Sequence, residues 1–175
     1  MALIVETGAG LASAESYASV AEADARLAAY GFTAWAGQAQ AAKETALRLA
    51  TDFMVSSYRT CWKGYRVNTT QALDWPRNYV ERPDGMTSQY GGASYYDSAS
   101  VPAEIKAACI DLAYKTTQGT ELAPDIDPAQ KRVKVGPIEV EYDTTANQVT
   151  IYRAIESKLR PFFNGGGAMA KLVRT

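Results

Sequence analysis

Apolar positions recur at helical spacing in four stretches of the chain. Val20, Ala23, Leu27 and Tyr30 share one face, behind a Ser-x-x-Glu capping box at Ser19 and Glu22, and Gly31 supplies a stop. This predicts a first helix over about 20–30. A second, over about 38–57, carries Ala42, Ala46, Leu49, Ala50, Phe53, Met54 and Ser57 on one side and Lys43, Glu44, Arg48 and Asp52 on the other. A third opens at Pro102, buries Ile105, Ala108, Cys109 and Leu112, and ends at Gly119. A fourth, over about 146–160, places Val149, Tyr152, Ile155 and Leu159 together before Pro161. Between the last two, over 131–143, the period falls to two. Val133 and Val135, then Ile138, Val140 and Tyr142, alternate with charges around Gly136-Pro137, which predicts a β-hairpin. The expected fold is mainly α: a four-helix bundle with one hairpin, in a single domain over 1–175.

The remainder is irregular. Leu3–Val5 and Thr7-Gly8-Ala9-Gly10 read as a turn or an N-terminal arm over 1–15, since the third glycine of a nucleotide-binding loop is missing. In 64–77, GYRVNTTQALDWPR, a proline restricts the backbone ahead of it and presents Trp75 from a stiff segment, beside Arg77. A large aromatic there plugs a core or anchors a partner. The loop at 78–100 sets Tyr79, Tyr90, Tyr95 and Tyr96 among Gly, Ser, Asp and Asn. It reads as a contact surface or as a loose insertion. The C-terminal arm over 162–175 begins with an exposed-looking pair, Phe162 and Phe163. It ends in a glycine-hinged tail where Met169, Leu172, Val173 and Arg174 are docking candidates.

Charge changes the picture more than composition does. At 175 residues, 47% apolar and 21% charged, the chain is globular in type, and its net charge is −1. A free-standing duplex-DNA binder carries a basic excess, because phosphate neutralisation supplies its affinity. Here only Lys131, Arg132 and Lys134 on the first hairpin strand stand out. They face DNA, or they pair with Glu139 and Glu141 on the second strand; both readings stay open. Histidine is absent, which removes the usual general base and metal ligand. Cys61 and Cys109 are too few for zinc, and Cys109 reads as a buried thiol. Asp125 and Asp127 read as an Asp-Pro turn rather than a calcium loop. No catalytic group, metal or cofactor is expected. No run of about 18 apolar residues suits a bilayer, and no secretory signal is evident, so synthesis in the cytoplasm is expected.

Four segments together carry a resemblance: VETGAGLASAESYASVAEADA, then GYR followed by QALDWPR, then VPAEIKAACIDLA, then KVGPIEVEY. Over nearly the whole chain, apart from 78–100 and the last dozen residues, they resemble a family of tailed-phage proteins. That family is labelled DnaT-like single-strand DNA-binding protein and is similar in architecture to head–tail connector, or adaptor, proteins. The resemblance implies a structural virion protein in the neck. It would form a twelve-membered ring between the portal and the tail or neck proteins, with genome DNA in its channel. The alternative it implies is single-strand DNA binding during phage replication. In the connector reading, Lys131, Arg132 and Lys134 line the channel. Trp75, Arg77, Tyr90, Tyr95, Tyr96, Phe162, Phe163 and the tail meet partners. The Trp-Pro unit also wedges between the second and third helices, with Arg66 and Arg77 pairing with carboxylates such as Asp74.

Overall fold

The computed structural model describes residues 2–83, 94–124, 130–134, 139–142 and 150–167. Among them are five helices: α1 (Val20–Ala29), α2 (Thr33–Ala36), α3 (Gln40–Tyr58), α4 (Ala103–Thr117) and α5 (Arg153–Leu159). Two small antiparallel ladders accompany them. One pairs β1 (Tyr65–Arg66) with β2 (Arg77–Asn78), the other β3 (Gln130–Lys134) with β4 (Glu139–Tyr142). The mainly helical expectation holds, with an additional single-turn helix in the connection around Trp35.

Helix α1 starts as its capping box dictates. The Ser19 hydroxyl accepts from the Glu22 amide at 3.2 Å, and the Glu22 carboxylate accepts from the Ser19 amide at 2.8 Å. Gly31, at φ +76°, leaves the helix in the left-handed region. Helices α3 and α4 make the most extensive helix–helix contact. Ala46 and Ala50 of α3 and Ala108 of α4 are buried, and such small side chains let the backbones approach closely. Ile105, Cys109 and Leu112 fill the seam, each buried methylene stabilising by about 0.8 kcal/mol. Burial pushes the Cys109 thiol up, so it stays protonated and behaves as a small apolar side chain.

The buried stripe of α3 is rotated from the one its sequence suggests. Leu47 is inside and Leu49 half exposed, while Lys43, expected on the polar side, is buried with its ammonium 2.9 Å from Asp24. Asp24, itself half exposed, also accepts from the indole of Trp35 at 2.7 Å, so α2 covers Lys43 on this flank. Across the bundle, Asp111 of α4 pairs with Arg26 of α1 and Lys158 of α5, joining three helices through one carboxylate.

Helix α5 begins at Arg153, later than the expected 146; Tyr152 instead bonds the Glu121 and Leu122 carbonyls through its hydroxyl. Beyond it, Arg160–Phe162 tightens into a 3₁₀ turn at Pro161. The segment that follows zips onto 61–63: Lys63 N donates to Phe162 O, Asn164 N to Cys61 O, and Asn164 Nδ2 to Trp62 O, at 2.7–2.9 Å. Phe162 and Phe163 are buried, contrary to their expected exposure, because Trp62, Trp75 and Tyr58 surround them. Residues 168–175, with Met169, Leu172, Val173 and Arg174, lie outside the described residues, as do Tyr90 and the Asp125-Asp127 turn.

The N-terminal stretch is bound to the body instead of leaving it as an arm. Val5 bridges Ser16, and the buried carboxylate of Glu6 accepts from the amides of Gly8, Gly10 and Leu11 at 2.8–2.9 Å. Such a nest of amides is the kind that holds a phosphate in nucleotide-binding loops, and here the chain's own glutamate fills it. Gly8, at φ +106°, sits so close to Ala99 that a Cβ would stand 2.0 Å from its carbonyl oxygen.

Two core phenols set the alkaline limit of this fold. Burial is the main cause that pushes both Tyr17 and Tyr58 well above the ordinary tyrosine pKa. A pKa raised by folding contributes stability that is complete below the unfolded value, about 10, and is lost as pH rises beyond it. The melting midpoint should therefore fall steadily above about pH 10, and phenolate absorbance of the native state should fall short of all eleven tyrosines. Titration of every tyrosine near pH 10 with the helical signal intact would contradict this assignment.

Candidate nucleic-acid interface

The segment 64–77, which the sequence singles out, folds into a knot whose polar groups point inward. Trp75 is fully buried, edge-on to Trp62 at 5.8 Å and to Phe162 at 5.4 Å. Its partners are thus the end of α3 and the turn after α5, rather than the faces of two long helices. Neither indole N–H of this tryptophan pair has a hydrogen-bond partner among the described residues, so the pair stabilises through burial and ring packing. Asp74, also buried, accepts from Arg59 Nε at 3.1 Å, has Arg66 Nε at 3.9 Å, and gives its amide to the Tyr17 hydroxyl at 3.1 Å.

Arg77 does not pair with that carboxylate side chain. Its guanidinium donates to the carbonyls of Lys63 and Gly64, both at 2.7 Å, and of Asp74 at 3.2 Å. Burial lowers its pKa from the ordinary arginine value, though an arginine remains charged at any accessible pH. Gln71 completes the knot. It donates to Leu73 O at 2.8 Å and Pro76 O at 3.1 Å, and it accepts from the Asn68 amide at 2.9 Å. Asn68 in turn reaches the carbonyls of Ala9 and Gly10. Trp75 and Arg77, expected as partner contacts, are therefore interior groups that hold the fold.

What the knot displays is aromatic. Its ladder sets Tyr65 opposite Asn78 and Arg66 opposite Arg77. Tyr65 and Tyr79, on either side of this stub, are 72% and 69% exposed. The returning chain adds Tyr95, 46% exposed, through a bridge to Glu81. Centroids of Tyr65 and Tyr79 are 6.5 Å apart at 77°, those of Tyr79 and Tyr95 6.1 Å apart at 90°. Gly64, at φ +67°, makes the stub possible, since a Cβ there would meet Asn78 O at 2.0 Å. Tyr79 itself has φ 59°, a backbone region that bulky side chains rarely occupy.

Around these rings the charge is locally basic. Residues 59–82 hold five cations (Arg59, Lys63, Arg66, Arg77, Arg82) against Asp74 and Glu81, in a chain of net charge −1. Arg82 is exposed and lies 5.0 Å from the ring of Tyr96, which packs on Phe162 at 4.9 Å and is only half exposed. Tyr65 and this cationic run escape a periodicity search, because the residues meet only when β1 and β2 pair. The signal available in the sequence is the density of Arg, Lys and Tyr in an irregular stretch.

On the hairpin, the register places Arg132 opposite Glu141 and Lys134 opposite Glu139, with an irregularity at Lys131. Among the described residues no cluster of three or more His, Cys, Asp or Glu could hold a metal ion, and no helix is long and apolar enough to cross a membrane.

A family model described as "Putative DnaT-like ssDNA binding protein" matches residues 1–175. No curated protein and no solved structure matches the chain.

Replacing Trp75 with alanine should destabilise the protein by about 4 kcal/mol, within the range for deleting a buried tryptophan. The expected result is a sharply lower denaturant midpoint. A variant with unchanged stability that fails only in partner binding would return Trp75 to the surface.

Proposed function

We propose that this chain, which belongs to the DnaT-like ssDNA binding family over its whole length, binds single-stranded DNA and does no chemistry on it. The family match carries this reading. The locally basic, tyrosine-bearing surface supports it, since non-specific single-strand binders combine cations that follow the backbone with aromatics that stack on bases. Near-neutral overall charge argues for few phosphate contacts. With two such contacts, affinity for an oligo-dT strand should fall about 25-fold when salt rises tenfold. Fluorescence anisotropy at about 20 and about 200 mM salt measures this; absence of binding at the lower salt overturns the reading.

A second reading is favoured by the near-neutral charge, together with the resemblance of the family's architecture to head–tail connectors. Here copies of the chain form a ring in the virion neck, between portal and tail proteins, and contact DNA as it passes. Weakly charged subunits pack side by side without strong mutual repulsion. Electron microscopy of purified particles tests it: density for the protein in the neck is expected, and its absence from mature particles removes this reading.

A further inference from the structure

We propose that Tyr65, Tyr79 and Tyr95 form the platform on which the bases of a single strand stack, with Lys63 and Arg82 meeting its phosphates. The proposal rests on the single-strand reading above and gives it a site. Three large rings standing together, each about half exposed or more, are not core residues. Their mutual packing is nearly perpendicular, so a contact spends the edge of one ring on a single face of the next. Most ring faces therefore remain open to a planar partner.

Backbone strain points the same way. The neighbours of Tyr79 are fixed on both sides: Asn78 pairs with Tyr65, Val80 is buried, and Val80 O accepts from Tyr96 N at 2.8 Å. Between them, Tyr79 is held in the left-handed region, yet its side chain gains little burial in return. Strain of this kind persists where the surroundings over-determine it, and it concentrates at binding sites.

The cations select the ligand. Arg59 and Arg66 are engaged with Asp74, and Arg77 with three carbonyls. Lys63 gives a hydrogen bond to Pro161 O, which leaves donors on its ammonium, and Arg82 is exposed, 5.0 Å from the ring of Tyr96, the neighbour of Tyr95 in the chain. The acids nearby in sequence are Asp74, Glu81, Asp84 and Asp97; Asp74 is engaged with Arg59, and Asp97 caps the Ala99 amide. Two cations within the same short stretches as three exposed rings suit a short polyanion with unstacked bases. A duplex hides its base faces, so it offers this surface only phosphates.

Anisotropy with a labelled oligo-dT and with a duplex of equal length tests the site. Tyr65→Ala, Tyr79→Ala and Tyr95→Ala should each weaken single-strand binding on the order of tenfold, as loss of one stacked base does. Phenylalanine at the same positions should restore it to within about twofold. Tyr30→Ala is the control: this tyrosine is equally exposed, lies on α1's end, and should leave binding unchanged. If the wild type binds and the three alanine variants bind equally well, the site lies elsewhere and only the present proposal falls. If the wild type binds no strand, the single-strand reading falls with it. If the alanine variants keep DNA affinity but change mass in light scattering, the rings are a contact between copies, which also overturns the proposal.

Discussion

The packing of Trp75 against Trp62 and Phe162 is the contact on which the rest of this structure depends. It joins three stretches that local structure keeps apart: the end of α3, the irregular run after it, and the turn that follows α5. Tyr58 and Phe163 extend the cluster, and the 61–63 strip is hydrogen-bonded along Phe162–Asn164. Remove this floor and the short Tyr65–Asn78 ladder has nothing to stand on, since a two-residue pairing is not stable alone. The charged groups of the same region follow its lead. Asp74 is buried because Trp75 is, and Arg59 and Arg66 approach it for that reason.

The motifs that identify the family are largely scaffold. The glycines of the N-terminal segment close around Glu6 and against Ala99. Gly64 lets two strands touch, Gln71 and Arg77 bond carbonyls, and Trp75 fills the core. Each is demanded by a backbone conformation or a buried polar group, so substitution would be punished whatever the protein binds. The exposed tyrosines surround this scaffold and are what it presents.

The helices were legible because their information is local. The capping box at Ser19 and Glu22, the stops at Gly31 and Gly119, and the apolar face of α4 all follow from short-range rules. The phase of α3 was less so. Lys43 reads as a surface lysine until Asp24 and Trp35 arrive from another helix to receive it. The N-terminal turn reads as an arm for the same reason, because what binds it lies far along the chain. Of the interface residues expected from sequence, Tyr95 is on the surface, Tyr96 is half covered, and Trp75, Arg77, Phe162 and Phe163 are inside. An aromatic pair beside a proline and a glycine run looks exposed only while its partners at 58–75 are out of view.

The docked N-terminus also constrains the order in which the molecule can form. The Tyr17 hydroxyl meets the Asp74 amide 57 positions later, Asn68 reaches back 59 positions to Ala9, and Gly8 rests on Ala99. Helix α1 receives Lys106 and Asp111 of α4. Residues 8–26 therefore complete their contacts only once α4 is in place, after their earlier partners at 43–74. Closing loops of that length is slow compared with winding the helices themselves. The capped helix α1 can wind early, yet the side chains that fix it to the body wait for partners up to 85 positions away.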